Sequence, residues 1–108
     1  MFRQIPEADW KVFRRLQPLA MDRFCRRVLE EVEGIAGDAG RSPHQRYLEL
    51  YRLLQERDKE LERGFDTPRR STALLQLAHI YAAGLLTEEE LAQFGDETRG
   101  FVECLVNG

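Results

Sequence analysis

Gly37-Asp38-Ala39-Gly40-Arg41 is followed at once by Ser42-Pro43-His44-Gln45, and this stretch decides the fold. Two glycines and an aspartate in five residues can only be a loop. The next four read as a capping box. Ser42 accepts from the backbone three residues on, Pro43 suits the first turn, and the Gln45 side chain can return the bond. A helix therefore ends before residue 37 and another begins at about residue 43, joined by a connection short enough to fold them antiparallel.

Working outward, the downstream helix spans about 43–65, with Tyr47, Leu50, Tyr51, Leu54, Leu61 and Phe65 on one face. The segment Gln55 to Glu60 within it is charged almost all round and is expected to leave the core. Upstream, Met21, Phe24, Cys25, Val28, Val32 and Ile35 share a face of a helix of about 18–36. Before that, Pro6-Glu7-Ala8-Asp9 has the composition of a helix start. Trp10, Phe13, Leu16 and Leu19 then follow at steps of three. Pro18 falls inside this pattern, removes a backbone bond and clashes with the preceding turn. The expectation is a short helix of 7–16 and a break.

Thr67-Pro68 opens a fourth helix of about 68–83 bearing Leu74, Leu75, Leu77, Ala78, Ile80 and Tyr81, with Gly84 as a left-handed cap. Thr87-Glu88-Glu89-Glu90 is a second capping box, starting a short helix that Gly95 stops. Asp96 caps a last one holding Phe101, Val102, Leu105 and Val106. This C-terminal pair covers about 88–106. No stretch alternates with period two, so no strand is expected. The prediction is an all-α compact bundle of five to six short helices around one core, with no sheet, and residues 1–108 forming one domain. The helices of 18–36, 43–65 and 68–83 form its centre, and the C-terminal pair lies across one end.

Composition agrees with a globular domain: 108 residues, 43% hydrophobic and 32% charged. The longest nearly uncharged apolar stretch, Leu77 to Leu86, is half the length of a membrane span. Met1 to Glu7 lacks the apolar run of a leader. Two cysteines, Cys25 and Cys104, do not make a disulfide framework. These features predict a cytoplasmic protein without a membrane segment. Net charge is −3, and it is unevenly distributed. Residues 1–27 hold seven basic and three acidic groups, net +4; the remainder holds nine basic and sixteen acidic, net −7.

Groups suited to catalysis are sparse. His44 and His79 are each expected at the surface, and neither stands at zinc-ligand spacing from Cys25 or Cys104. No nucleophile elbow, P-loop or dinucleotide fingerprint occurs. Glu30, Glu31 and Glu33, and the run from Glu56 to Glu62, alternate with basic residues as on a solvated helix face. No enzyme activity, cofactor or metal is predicted. Cys25, beside Arg23, Arg26 and Arg27, could be a low-pKa thiol, but it falls on the apolar stripe and is assigned to the core. Residues 77–87 imitate a helix-turn-helix, yet the second helix would lead with Glu88, Glu89 and Glu90, which repel phosphate. Nucleic acid is not an expected partner.

Two sites are candidates. Trp10 and Phe13, with Arg23, Arg26 and Arg27, could form an interaction surface. Alternatively the rings close the core and the arginines pair with the acidic C-terminal helices, within the chain or across a dimer. Pro68-Arg69-Arg70-Ser71-Thr72 places two cations in a first helical turn, where they oppose the dipole. Arg69, Arg70, Ser71 and Thr72 could hold a small anion or acidic partner there, or Asp66, Glu62 or a C-terminal acid could neutralise them.

The segments R-Q-I-P-E-A-D-W at 3–10, S-P-H-Q-R-Y-L at 42–48, R-R-S-T-A at 69–73 and G-L-L-T-E-E-E-L at 84–91 together resemble a group of short, uncharacterised bacterial proteins. That resemblance implies a bacterial cytoplasmic origin and brings no activity with it. The functional expectation is a non-enzymatic protein–protein interaction or regulatory module, a homodimer by preference. The alternative is a binder of a small anionic ligand at Arg69–Thr72.

Overall fold

The computed structural model describes residues 4–107; Met1, Phe2 and Arg3 of the N-terminal readings above, and Gly108, lie outside them. Five helices follow in order: α1 (Glu7–Ala36), α2 (Pro43–Phe65), α3 (Ala73–Ala82), α4 (Glu88–Leu91) and α5 (Asp96–Asn107), with no strand among the described residues. The chain is an all-α bundle.

The expected break at Pro18 does not occur. α1 runs unbroken for 30 residues with Pro18 inside it. A mid-helix proline costs about 3 kcal/mol. Here Phe13, Leu16 and Gln17 on one side of it and Ala20 on the other are buried against the same core. Each large apolar side chain contributes roughly 1.5–3 kcal/mol on burial, so tertiary packing outweighs the local penalty. The proline ring itself is exposed.

The two capping boxes form as read. Ser42 Oγ accepts from Gln45 N at 3.1 Å and Gln45 Oε1 accepts from Ser42 N at 3.0 Å. Thr87 and Glu90 repeat the arrangement at 3.1 and 2.9 Å. Gly84 takes a φ of +71°. That allows Gly84 N and Leu85 N to donate to Tyr81 O and Ile80 O at 2.9 and 3.2 Å, the paired bonds of a Schellman end.

The fourth predicted helix starts late. Residues 69–72 form an isolated turn, closed by Thr72 N donating to Arg69 O at 3.1 Å, and α3 begins only at Ala73. Phe65 and Ala73, both buried, fix the ends of this segment, and Gln76 Nε2 ties it to Asp66 O at 3.1 Å. Gln76 is thus 4% exposed, while His79 near it on the helix is exposed as expected. Leu75, read as core, is exposed instead.

The centre of the core also differs from expectation. Phe13, Leu77, Ile80, Leu85 and Val102 are its largest fully buried apolar side chains, and α3 packs against α1, α2 and α5. The C-terminal segment therefore belongs to the centre. Asp9 locks it there: its Oδ1 accepts from Gly95 N at 3.0 Å and its Oδ2 from Thr98 Oγ1 at 2.5 Å. The start of α5 is thus fastened by a residue from the other end of the chain, through the amide before the helix and a hydroxyl in its first turn. Asp96, expected to cap the helix, is its first residue. The distal parts of α1 and α2 instead extend past the core as a helical hairpin, in a molecule measuring 53 × 26 × 24 Å.

Candidate functional site

Arg69 and Arg70 precede α3 and do not occupy its first turn, so the dipole conflict that motivated an anion site is absent. Arg70 Nη1 pairs with Glu7 Oε2 at 2.6 Å, and its guanidinium lies over the Trp10 ring, 5.7 Å from the centroid. The neutralising acid comes from the first turn of α1, not from Asp66, Glu62 or the C-terminal helices. Thr72 Oγ1 turns back to Arg69 O at 3.3 Å, while Ser71 and Arg69 are exposed. The four residues share one turn, but its best cation is already engaged.

The proposed aromatic surface is also largely internal. Phe13 is 1% exposed, and Trp10 packs partly buried against the core, its ring stacked 6.1 Å from Phe13. Arg23 donates to both oxygens of Glu90 at 2.7 and 2.9 Å and to Leu85 O at 2.8 Å. The ion pair and capping bonds hold the Glu90 carboxyl near pKa 2, well below its ordinary 4.5. Arg27 donates to Ala83 O and Gly84 O at 2.6 and 2.7 Å, where α3 ends and its carbonyls point outward. Arg26 pairs with Asp22 one turn back. Arg23 and Arg27 thus clamp α1 to the segment from 83 to 90.

Leu19, Leu75 and Leu105 are exposed singly, and the other large exposed apolar side chains among the described residues lie on the hairpin. Its two helices meet through Val28, Glu31 and Ile35 on α1 and Leu50, Leu53 and Arg57 on α2, all at least partly buried. Arg57 closes on Glu31 with two bonds, 3.0 and 2.9 Å, and on Glu60 at 3.2 Å. These contacts depress the Glu31 pKa and raise that of Arg57. Arg46 Nη1 donates to Ala36 O at 2.7 Å across the loop.

About 100° round each helix runs a second stripe. On α2 it is Tyr47, Tyr51 and Leu54; on α1 it is Cys25, Leu29, Val32 and Ala36. Spacings of four and three are those of a bundle seam. In an antiparallel pair both stripes turn to the same side, opposite α3. Leu29 is 61% exposed, Tyr47 65%, Tyr51 57% and Leu54 48%. Cys25, assigned to the core from its stripe, is exposed here, and Cys104 is exposed as well.

Comparison with protein-family models, curated proteins and solved structures finds no match for this chain. Among the described residues no helix is long and apolar enough to cross a membrane, and no three His, Cys, Asp or Glu side chains gather as a metal site.

The hairpin face was concealed by a reading that placed Tyr47, Tyr51 and Leu54 on one stripe with Leu50, Leu61 and Phe65. Leu53 marks the covered side of α2: it is buried and lies about 100° round the helix from Leu54 and further still from the two tyrosines.

Proposed function

We propose that this protein is a non-enzymatic interaction module of the cytoplasm that self-associates through the hairpin face, two copies forming a four-helix bundle. The observation that carries this reading is the exposed stripe of Leu29, Tyr47, Tyr51 and Leu54 on two packed helices. These side chains present on the order of 500 Å² of apolar surface, at the upper end for a free monomer and, with their polar flanks, near the roughly 800 Å² per partner of a standard interface. Tyrosine is also the residue type enriched in such contacts.

A two-fold axis along the hairpin lays α1 of one copy on α2 of the other and covers each stripe with that of its partner, the self-complementary contact that a second copy supplies. Both helices carry apolar side chains at the same spacings of four and three, so the face packs on itself as a bundle seam.

Light scattering at micromolar concentration tests this. The expected mass is about 25 kDa, twice the 12.6 kDa chain. Tyr51→Lys with Leu54→Lys should give a monomer of unchanged helicity. A wild-type monomer throughout, or a dimer indifferent to Tyr51→Lys, would overturn the reading.

A further inference from the structure

On the opposite side of the hairpin, where α1, α2 and α3 meet, a half-open cleft encloses about 430 Å³. Its apolar wall is formed by Phe24, Phe65, Ile80 and Leu85. Ile80 and Leu85 are held rigidly in the core, and the Phe24 and Phe65 rings lie 5.9 Å apart, tilted by 46°. That volume falls within the range of small-molecule sites. At the space a water occupies in the liquid, it holds about a dozen non-hydrogen atoms.

The polar rim is unevenly satisfied. Arg57 is consumed by Glu31 and Glu60, so these three leave one negative charge between them. Arg27 is bound by two carbonyl oxygens and neutralised by no carboxylate among the described residues. Arg63, in the last turn of α2, is exposed and makes no ion pair among the described residues. His79 is exposed on the facing helix. The two helices approach closely between them, since a Cβ added at Gly64 would lie 3.9 Å from His79 Cβ and 3.8 Å from Ile80 Cγ1. Arg63 and His79 therefore stand at the same edge of the cleft, above its apolar wall.

We propose that this cleft binds a small amphipathic carboxylate, with an alkyl or aryl body of about eight carbons against Phe24, Phe65 and Ile80 and its anionic end at Arg63 and His79. Water excluded from the wall drives insertion, and the unspent positive charge at the mouth selects an anion over a neutral or cationic head. Arg27 adds to the positive potential from the opposite rim while holding the end of α3. This site is independent of the hairpin stripe, which faces the other way.

The test is an amide-resolved NMR titration of the full chain with octanoate, octan-1-ol and octylammonium. Octanoate should produce saturable shifts at Gly64, His79 and Leu85, with octan-1-ol and octylammonium at least tenfold weaker. Arg63→Glu, a surface change, should weaken octanoate about tenfold and improve octylammonium. Tyr51→Lys should leave octanoate binding as it was, whatever it does to association. Absence of saturation, equal binding of octanoate and octan-1-ol, insensitivity to Arg63→Glu, or shifts centred on Tyr47 and Tyr51 would each overturn the proposal.

Discussion

Arg23 on α1 grips Glu90 on α4 with two guanidinium nitrogens, at 2.7 and 2.9 Å, while Glu90 also completes the capping box with Thr87. Because the folded carboxyl titrates near 2 and its ordinary value is 4.5, the pair stabilises the fold above pH 4.5. That contribution fades as pH falls towards 2. Both side chains retain some solvent contact, so the contribution is about 1–2 kcal/mol, less than the full shift implies. Glu90→Gln keeps the capping acceptor and removes the charge. Urea denaturation should show it less stable by that amount at pH 7, with the gap closing near pH 2. A gap that persists unchanged in acid would mean the charge is not its source.

Asp9 accepts from a backbone amide and a buried hydroxyl of the C-terminal segment. Asp9→Ala strands both donors, at about 1–3 kcal/mol each. The expected loss is about 2–4 kcal/mol, with the α5 amides losing most protection in hydrogen exchange. Thr98→Val should cost less, since the carboxylate keeps its bond from Gly95.

Arg70 is engaged by Glu7 and Trp10. The double variant Arg69→Gln, Arg70→Gln should therefore shift the Trp10 emission and lower Tm by no more than a few degrees, as exposed pairs contribute at most about 1 kcal/mol. Its stabilisation by millimolar phosphate should equal that of wild type. A phosphate response present only in wild type would restore the anion site.

Pro18 lies within an otherwise regular helix and its ring faces solvent. Pro18→Ala restores a backbone donor to the Arg14 carbonyl. It should raise stability by about 1–3 kcal/mol in thermal or urea melts. A loss would mean that the packing around Ala20 depends on the proline.

The helices and both caps were legible because their signals are local: Ser42 and Gln45, Thr87 and Glu90, Gly84. The errors arose where distant contacts decide. Nothing near Pro18 reveals that Phe13 and Ala20 will share one core. Nothing near Arg70 announces that Glu7, 63 positions earlier, supplies its partner. The hairpin face was visible as an apolar stripe, but two adjacent stripes on one helix look alike until a neighbour covers one of them. The cleft was not visible at all, since it is assembled from three helices and its wall residues look like ordinary core.

The hairpin also divides the molecule by depth of opening. Between Ala20 and Gly64 only Leu53 is buried. Separating the distal arms therefore exposes little apolar surface and breaks few bonds beyond those of Arg57 and Arg46. Amides near the 37–41 loop should exchange by local fraying, whereas those of α3 wait for global unfolding. A protease can nick that loop and leave the core standing. The segment that offers the contact surface is thus the one whose ordering costs the rest of the fold least, so an occupant of either of its faces would set its motion without disturbing its anchor.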